Sequence, residues 1–157
     1  MEKIIFLDVD GVLNSMTFAK RMRDEEGISV FREDILDRHC LALLKDIVEK
    51  TGAKIVVSSA WRRIPTSYSH LKEWLAEYDM DVHDRTPYVG GERGNDISAW
   101  FNRHPGEYRY VILDDDSDMT VHMDRLVQTS FHDRGLTRKL ADRCIEMLSE
   151  NDMHEEG

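Results

Sequence analysis

The chain has 157 residues, 41% apolar and 33% charged, the size of one ordinary domain with enough apolar side chains for a single core and too many for a disordered chain. Its 31 acidic against 21 basic side chains give a formal charge of -10, so the field of the whole molecule repels polyanions and non-specific duplex binding is not expected. The early apolar run at residues 4–7 is too short for a signal-peptide core, and nothing approaches the ~20 apolar residues of a membrane span, so the expectation is a cytoplasmic protein.

Residues 3–7 read as a buried strand, followed directly by Asp8-Val-Asp10-Gly11. Residues 14–34 form a flap-sized insert whose Lys20, Arg21, Arg23 and Arg32 are interspersed among acids. Leu36, Cys40, Leu43, Leu44, Ile47 and Val48 recur along one helical face, which Gly52 ends. Residues 54–57 read as a second buried strand with Ser58-Ser59 at its end. Tyr68, Leu71, Trp74, Leu75 and Tyr78 mark a helix, residues 80–83 a weaker strand, and Ile97, Trp100 and Phe101 a further helix that His104-Pro105-Gly106 closes. The aromatic residues in these stripes belong to the core by their spacing. Residues 109–113 read as a strand ending in Asp114-Asp115-Asp116, residues 126–129 as a weak last strand, and Leu140, Cys144, Met147 and Leu148 as a helix capped by Thr137. Residues 146–156, with His154, read as a fraying helix and a solvated tail.

Strands alternating with helices predict a parallel sheet with right-handed crossovers and helices on both faces. In such an α/β sheet the ligand crevice lies outside the carboxyl ends of the strands. Asp8 and Asp10, Ser58 and Ser59, and Asp114 with Asp115 and Asp116 should therefore converge on one edge.

Asp8 and Asp10 leave one strand tip, where one carboxylate can attack an electrophile and the other can donate a proton and then activate water. An acidic turn would look the same in isolation. A calcium loop is the competing reading, but it needs Gly at position six and Glu at twelve. Gly11 comes at position four, and in the run from Asp114 those places hold Met119 and Arg125. If Asp114 and Asp115 meet Asp8, their repulsion calls for a cation, and carboxylate oxygens suit Mg²⁺ better than Zn²⁺. Such an ion would let a phosphate approach Asp8. Ser59, or Ser58 if the strand phase is reversed, supplies a hydroxyl, and Arg93 supplies a cation before a helix start at Asn95. Cys40 and Cys144 read as buried small hydrophobes in a reducing compartment. None of the seven histidines belongs to a ligand pair, and His132 is a candidate substrate contact only.

The segments Ile4-Ile-Phe-Leu-Asp8-Val-Asp10-Gly11-Val-Leu, Val56-Val-Ser-Ser59-Ala-Trp-Arg62, Arg93-Gly and Val111-Ile-Leu-Asp114-Asp115 resemble, in order and spacing, the four motifs of haloacid dehalogenase (HAD) superfamily phosphatases. More narrowly, Ser59-x-Trp61, Arg93-Gly-x-x-Ile97-x-x-Trp100 and Leu113-Asp-Asp-Asp resemble the small domain found in Swiss Army Knife RNA repair proteins. The resemblance implies a three-layer Rossmann-like fold with a five-stranded sheet, Mg²⁺, and a phosphomonoesterase that forms an aspartyl phosphate on Asp8. It implies Asp10 as acid/base with its backbone carbonyl on the metal, Ser59 and Arg93 on the phosphoryl group, and Asp8, Asp114 and Asp115 on the metal. Asp118 fits a variant with a second acid four residues on.

An acid at Asp10 goes with phosphate ester chemistry in that superfamily, and the small insert implies an essentially capless enzyme, open to polynucleotide ends or nucleotides. A phosphotransferase with the same intermediate is an alternative. A non-catalytic phospho-Asp signalling module is another, although receivers carry the acid pair after the first strand.

Overall fold

The structure is a computed structural model that describes the backbone of residues 1–154 and the side chains of residues 1–149. The end of the predicted acidic tail, residues 155–157, lies outside the described residues. Strands β1 (Glu2–Leu7), β2 (Lys54–Val57), β3 (Val82–Arg85), β4 (Tyr108–Asp114) and β5 (Leu126–Gln128) form one sheet in the order β3-β2-β1-β4-β5. Every neighbouring pair is parallel.

β1 and β4 sit inside the sheet because their apolar runs can be buried on both faces, as inner parallel strands require. The pleat divides them between two cores. Ile5 and Leu7 join Ile55, Val57, Val111 and Leu113 on one face, packed against α2 (Arg38–Thr51), α3 (Pro65–Ala76) and α5 (Arg138–His154). Ile4, Phe6, Val56 and Ile112 face α4 (Arg93–Arg103) in a smaller core with Ile97 and Trp100. The predicted aromatic stripe fills this second core, with Phe6 edge-on to Trp100 at 5.6 Å and to Phe101 at 5.4 Å between ring centroids. The chain is thus the expected three-layer α/β sandwich.

Two elements differ from the sequence reading. β3 lies two residues later than residues 80–83, and its Val-His-Asp-Arg sequence suits a short polar edge strand. The predicted flap contains an 11-residue helix, α1 (Met16–Glu26), in which only Phe18 is buried, so no apolar stripe announces it. Its ends do: the Ser15 hydroxyl accepts from the Phe18 N–H, and Gly27 closes the helix at φ 66. The Met16 N–H donates to the Phe131 carbonyl at 2.8 Å, tying α1 to the segment after β5. Cys40 and Cys144 are buried and free, and burial pushes both thiols up to about 12.

Candidate active site

From β1 the chain runs outward to β2 and β3, then returns to β4 on the other side of β1. The carboxyl ends of β1 and β4 are therefore the point where the strand order reverses, which opens a crevice there. Asp8 follows β1 and stays in register, its N–H donating to the Leu113 carbonyl at 2.9 Å. Asp114 is the last residue of β4. Both are buried, at 2% and 0% exposure, and adjacency of the two strands makes them neighbours.

Arg93 opens α4, two residues earlier than the expected start at Asn95, and reaches back over the sheet edge. Its Nη1 lies 3.2 Å from Asp8 Oδ1 and 3.2 Å from Asp114 Oδ2, and its Nε lies 3.6 Å from Asp116 Oδ2. One carboxylate oxygen from each of Asp8, Asp114 and Asp115 falls within 4.8 Å of the others. A cleft of about 270 Å³ opens on this cluster, lined by Asp8, Asp10, Ser59, Arg93, Asp115 and Asp116, together with Ala60 and Phe131.

Burial raises the Asp114 carboxyl to about 6 despite Arg93. Burial, then the charge of Asp114, holds Asp8 well above the usual carboxylate range, with Arg93 acting in the other direction. Burial works against the charge of Arg93, but Asp8 and Asp114 outweigh it and push the guanidinium further up. One arginine thus stands among four carboxylates, those of residues 8, 114, 115 and 116. The three clustered ligands, Asp8, Asp114 and Asp115, all offer hard carboxylate oxygens, a set that fits Mg²⁺.

Asp10 is exposed and lines the same cleft, but its carboxylate is not one of the three clustered ligands among the described residues. Its Oδ1 accepts from Asn14 Nδ2 at 2.8 Å and its Oδ2 from Trp61 Nε1 at 3.2 Å. Asn14 in turn accepts from the Gly11 N–H at 2.9 Å, so one side chain sets both the turn and the acid. Gly11 has φ 87, and a Cβ there would stand 2.6 Å from Asp115 Cγ. Only glycine permits both that backbone and that approach.

Of the two serines, Ser59 reaches the cleft. Its hydroxyl accepts from the Trp61 N–H at 3.1 Å and keeps its own proton to donate. Ser58 is buried with its hydroxyl unpartnered and does not line the cleft. His132 lines a different groove, beside α1 (Met16–Glu26), whereas its neighbour Phe131 lines the cleft. Asp118 is absent from the carboxylate cluster among the described residues. It caps α4 instead: its Oδ2 accepts from the Arg93 N–H at 3.2 Å, and its carbonyl accepts from the Gly94 N–H at 3.0 Å.

Sequence reasoning missed the groups that hold these residues. A Cβ on Gly94 would collide with the Met119 carbonyl, so this glycine lets the loop after β4 press on the start of α4. Arg62, 5% exposed, donates to the Ser58, Ser59, Thr86 and Pro87 carbonyls and to Asp96 Oδ2 at 3.0 Å. It fastens the Ser59 turn to α4 and to the loop after β3. Its place in the motif beside Ser59 and Trp61 was visible; its partners were not.

Among the described residues, no helix is long and apolar enough to cross a membrane. No curated protein and no solved structure gives a significant match to the chain. One family model, the HAD domain in Swiss Army Knife RNA repair proteins, matches residues 4–141, a span that takes in β2 to β5, all but the first two residues of β1, and every strand-end motif. The chain belongs to this family of HAD domains.

Proposed function

We propose that the chain is a Mg²⁺-dependent phosphomonoesterase that works through an aspartyl phosphate on Asp8. One arrangement supports this above all: a buried carboxylate at the switch point shares a small cleft with an arginine, a hydroxyl and a second, separately held acid. Asp8, Asp114 and Asp115, with the backbone carbonyl of Asp10, would hold Mg²⁺. The ion would neutralise the phosphate and the acid cluster so that two anions can meet.

Ser59 and Arg93 bind the phosphoryl oxygens, Arg93 exchanging its carboxylate partners for the substrate. The Asp8 carboxylate attacks phosphorus as the bond to the ester oxygen breaks, and Asp10 protonates the departing oxygen. Asp10 then takes a proton from water, which attacks the same phosphorus. Inorganic phosphate leaves and Asp8 is regenerated. Asn14 and Trp61 keep Asp10 aimed during both transfers.

None of residues 14–34 lines the cleft, so an essentially capless site admits a large substrate. With the RNA-repair setting of the family, this favours phosphorylated polynucleotide ends or nucleotides. The two buried, unpaired cysteines suit a reducing, cytoplasmic setting. Incubation with a chromogenic aryl phosphate and Mg²⁺ tests the activity. Turnover by the native protein that chelation abolishes is expected, and absence of turnover at any Mg²⁺ concentration refutes the reading. Adding alcohol acceptors separates hydrolysis from phosphoryl transfer by comparing released with transferred phosphate.

A further inference from the structure

A second hollow, about 620 Å³, lies between the first turns of α3 (Pro65–Ala76) and the loop after β3. Arg63, Lys72 and Arg85 line it, and no carboxylate does. Among the described residues none of these three is ion-paired with a carboxylate, whereas Arg38, Lys45, Lys50 and Lys54 all are. Asp84 is the acid beside Tyr68, and it is engaged by Trp100 Nε1 at 2.8 Å and His104 Nε2 at 3.3 Å. In a chain of net charge -10, this groove locally reverses the field.

The cations alternate with aromatic rings. The Arg63 guanidinium stands 3.5 Å from the ring centroid of Tyr88, a residue 60% exposed. Lys72 lies 4.4 Å and Arg85 5.1 Å from the Tyr68 centroid. Thr86, 3% exposed, also lines the groove, and its hydroxyl has no hydrogen-bond partner among the described residues. Both walls lead to the cleft. Arg63 ends the 3-10 turn that Ser59 caps, and the loop beyond Tyr88 runs to Arg93 at the start of α4.

We propose that this groove binds a single-stranded nucleic-acid segment, phosphates on Arg63, Lys72 and Arg85 and bases against Tyr68 and Tyr88, and leads its end to the cleft. Positive charge alone would also accept an acidic peptide. Tyrosine rings beside the cations favour bases, because every base presents a flat π-face that can stack on them. The proposal names the substrate of the phosphatase reading and rests on it only for the fate of the strand's end.

Fluorescence anisotropy with short labelled oligonucleotides, one DNA and one RNA, both lacking terminal phosphate, tests the groove without requiring catalysis. Three phosphate contacts predict that log K falls with log salt with a slope of about -2. Arg63→Glu combined with Lys72→Glu should weaken binding about tenfold or more and flatten that slope. Tyr88→Ala should weaken it about tenfold, and because that ring is exposed this variant decides the matter if the double variant loses its fold by circular dichroism. Arg103→Glu with Lys54→Glu, at the opposite end of the sheet, should leave the affinity within about twofold.

Salt-independent or undetectable binding by the native protein, or groove variants that bind as tightly as it does, would overturn the proposal. So would tighter binding of an acidic phosphopeptide than of either oligonucleotide, which would assign the groove to a protein tail. Loss of aryl phosphatase activity alone would leave the binding result standing, and loss of binding would leave the phosphatase reading standing.

Discussion

Arg62 and Arg93 both turn a guanidinium into the carboxyl edge of the sheet, where they meet opposite surroundings. The Arg62 side chain is 4% exposed, with one carboxylate, Asp96, and four carbonyls sharing its donors. Its charge is balanced and its hydrogen bonds are used. The Arg93 side chain is 27% exposed and faces Asp8, Asp114 and Asp116, with Asp115 beside them. There the acids outnumber the cation, and the excess opens on a cleft. A satisfied buried ion pair holds a structure in place; an unsatisfied one has capacity left for a ligand.

Removing each arginine in turn should produce the largest contrast in stability. Arg62→Met leaves Asp96 buried without its partner and frees four carbonyls, so denaturant unfolding should register a loss of about 3–5 kcal/mol. Arg93→Met should cost clearly less, because its side chain is more exposed and burial already favours protonation of its partners Asp8 and Asp114. Equal losses would break the distinction between the two sites.

Mg²⁺ should act on one site only. At a hundredfold excess over its dissociation constant it should stabilise the native protein by about 2.7 kcal/mol in thermal unfolding. Asp115→Asn should remove most of that gain, and Asp96→Asn should lower stability while leaving the Mg²⁺ increment in place. A Mg²⁺ shift that survives Asp115→Asn would mean the ion binds elsewhere.

The smallest effect concerns a buried histidine. His122 is 7% exposed, with Nε2 2.8 Å from Ser98 Oγ and Nδ1 2.6 Å from Tyr110 Oη. Burial lowers its pKa below the ordinary 6.5, with Asp124 opposing. A depressed histidine favours the folded state fully above its unfolded pKa, and that contribution is lost as pH falls below about 6.5. His122→Gln should therefore flatten the decline of the unfolding midpoint on the acid side, by at most about 1.4 kcal/mol per pH unit. An unchanged pH profile would show that this network is indifferent to protonation.

What could be read in advance follows from the range of each interaction. β1 and β4 are dense apolar runs, and the rule that ligands gather at strand ends then singled out Asp8, Asp10, the pair Ser58 and Ser59, and the acids after β4. α1 escaped because it buries only Phe18, although Ser15 and Gly27 mark its ends. Whether Ser58 or Ser59 faced the cleft depended on the phase of a four-residue strand, which periodicity cannot fix. Arg62 was out of reach for a different reason. Its partners, carbonyls at residues 58, 59, 86 and 87 and the carboxylate of Asp96, are brought together by the tertiary fold. The α4 cap by Asp118 is equally non-local, so sequence could offer that acid only as a further metal ligand.

Asp8 is the nucleophile on which the proposed reaction depends. Acid-quenching the protein during turnover of an aryl phosphate with Mg²⁺, followed by peptide mass spectrometry, examines that point directly. The expected result is a phosphoryl adduct on Asp8 that accumulates in Asp10→Asn, where breakdown is slowed, and is missing in Asp8→Asn along with turnover. Sustained hydrolysis by Asp8→Asn, or an adduct on any other residue, would contradict it.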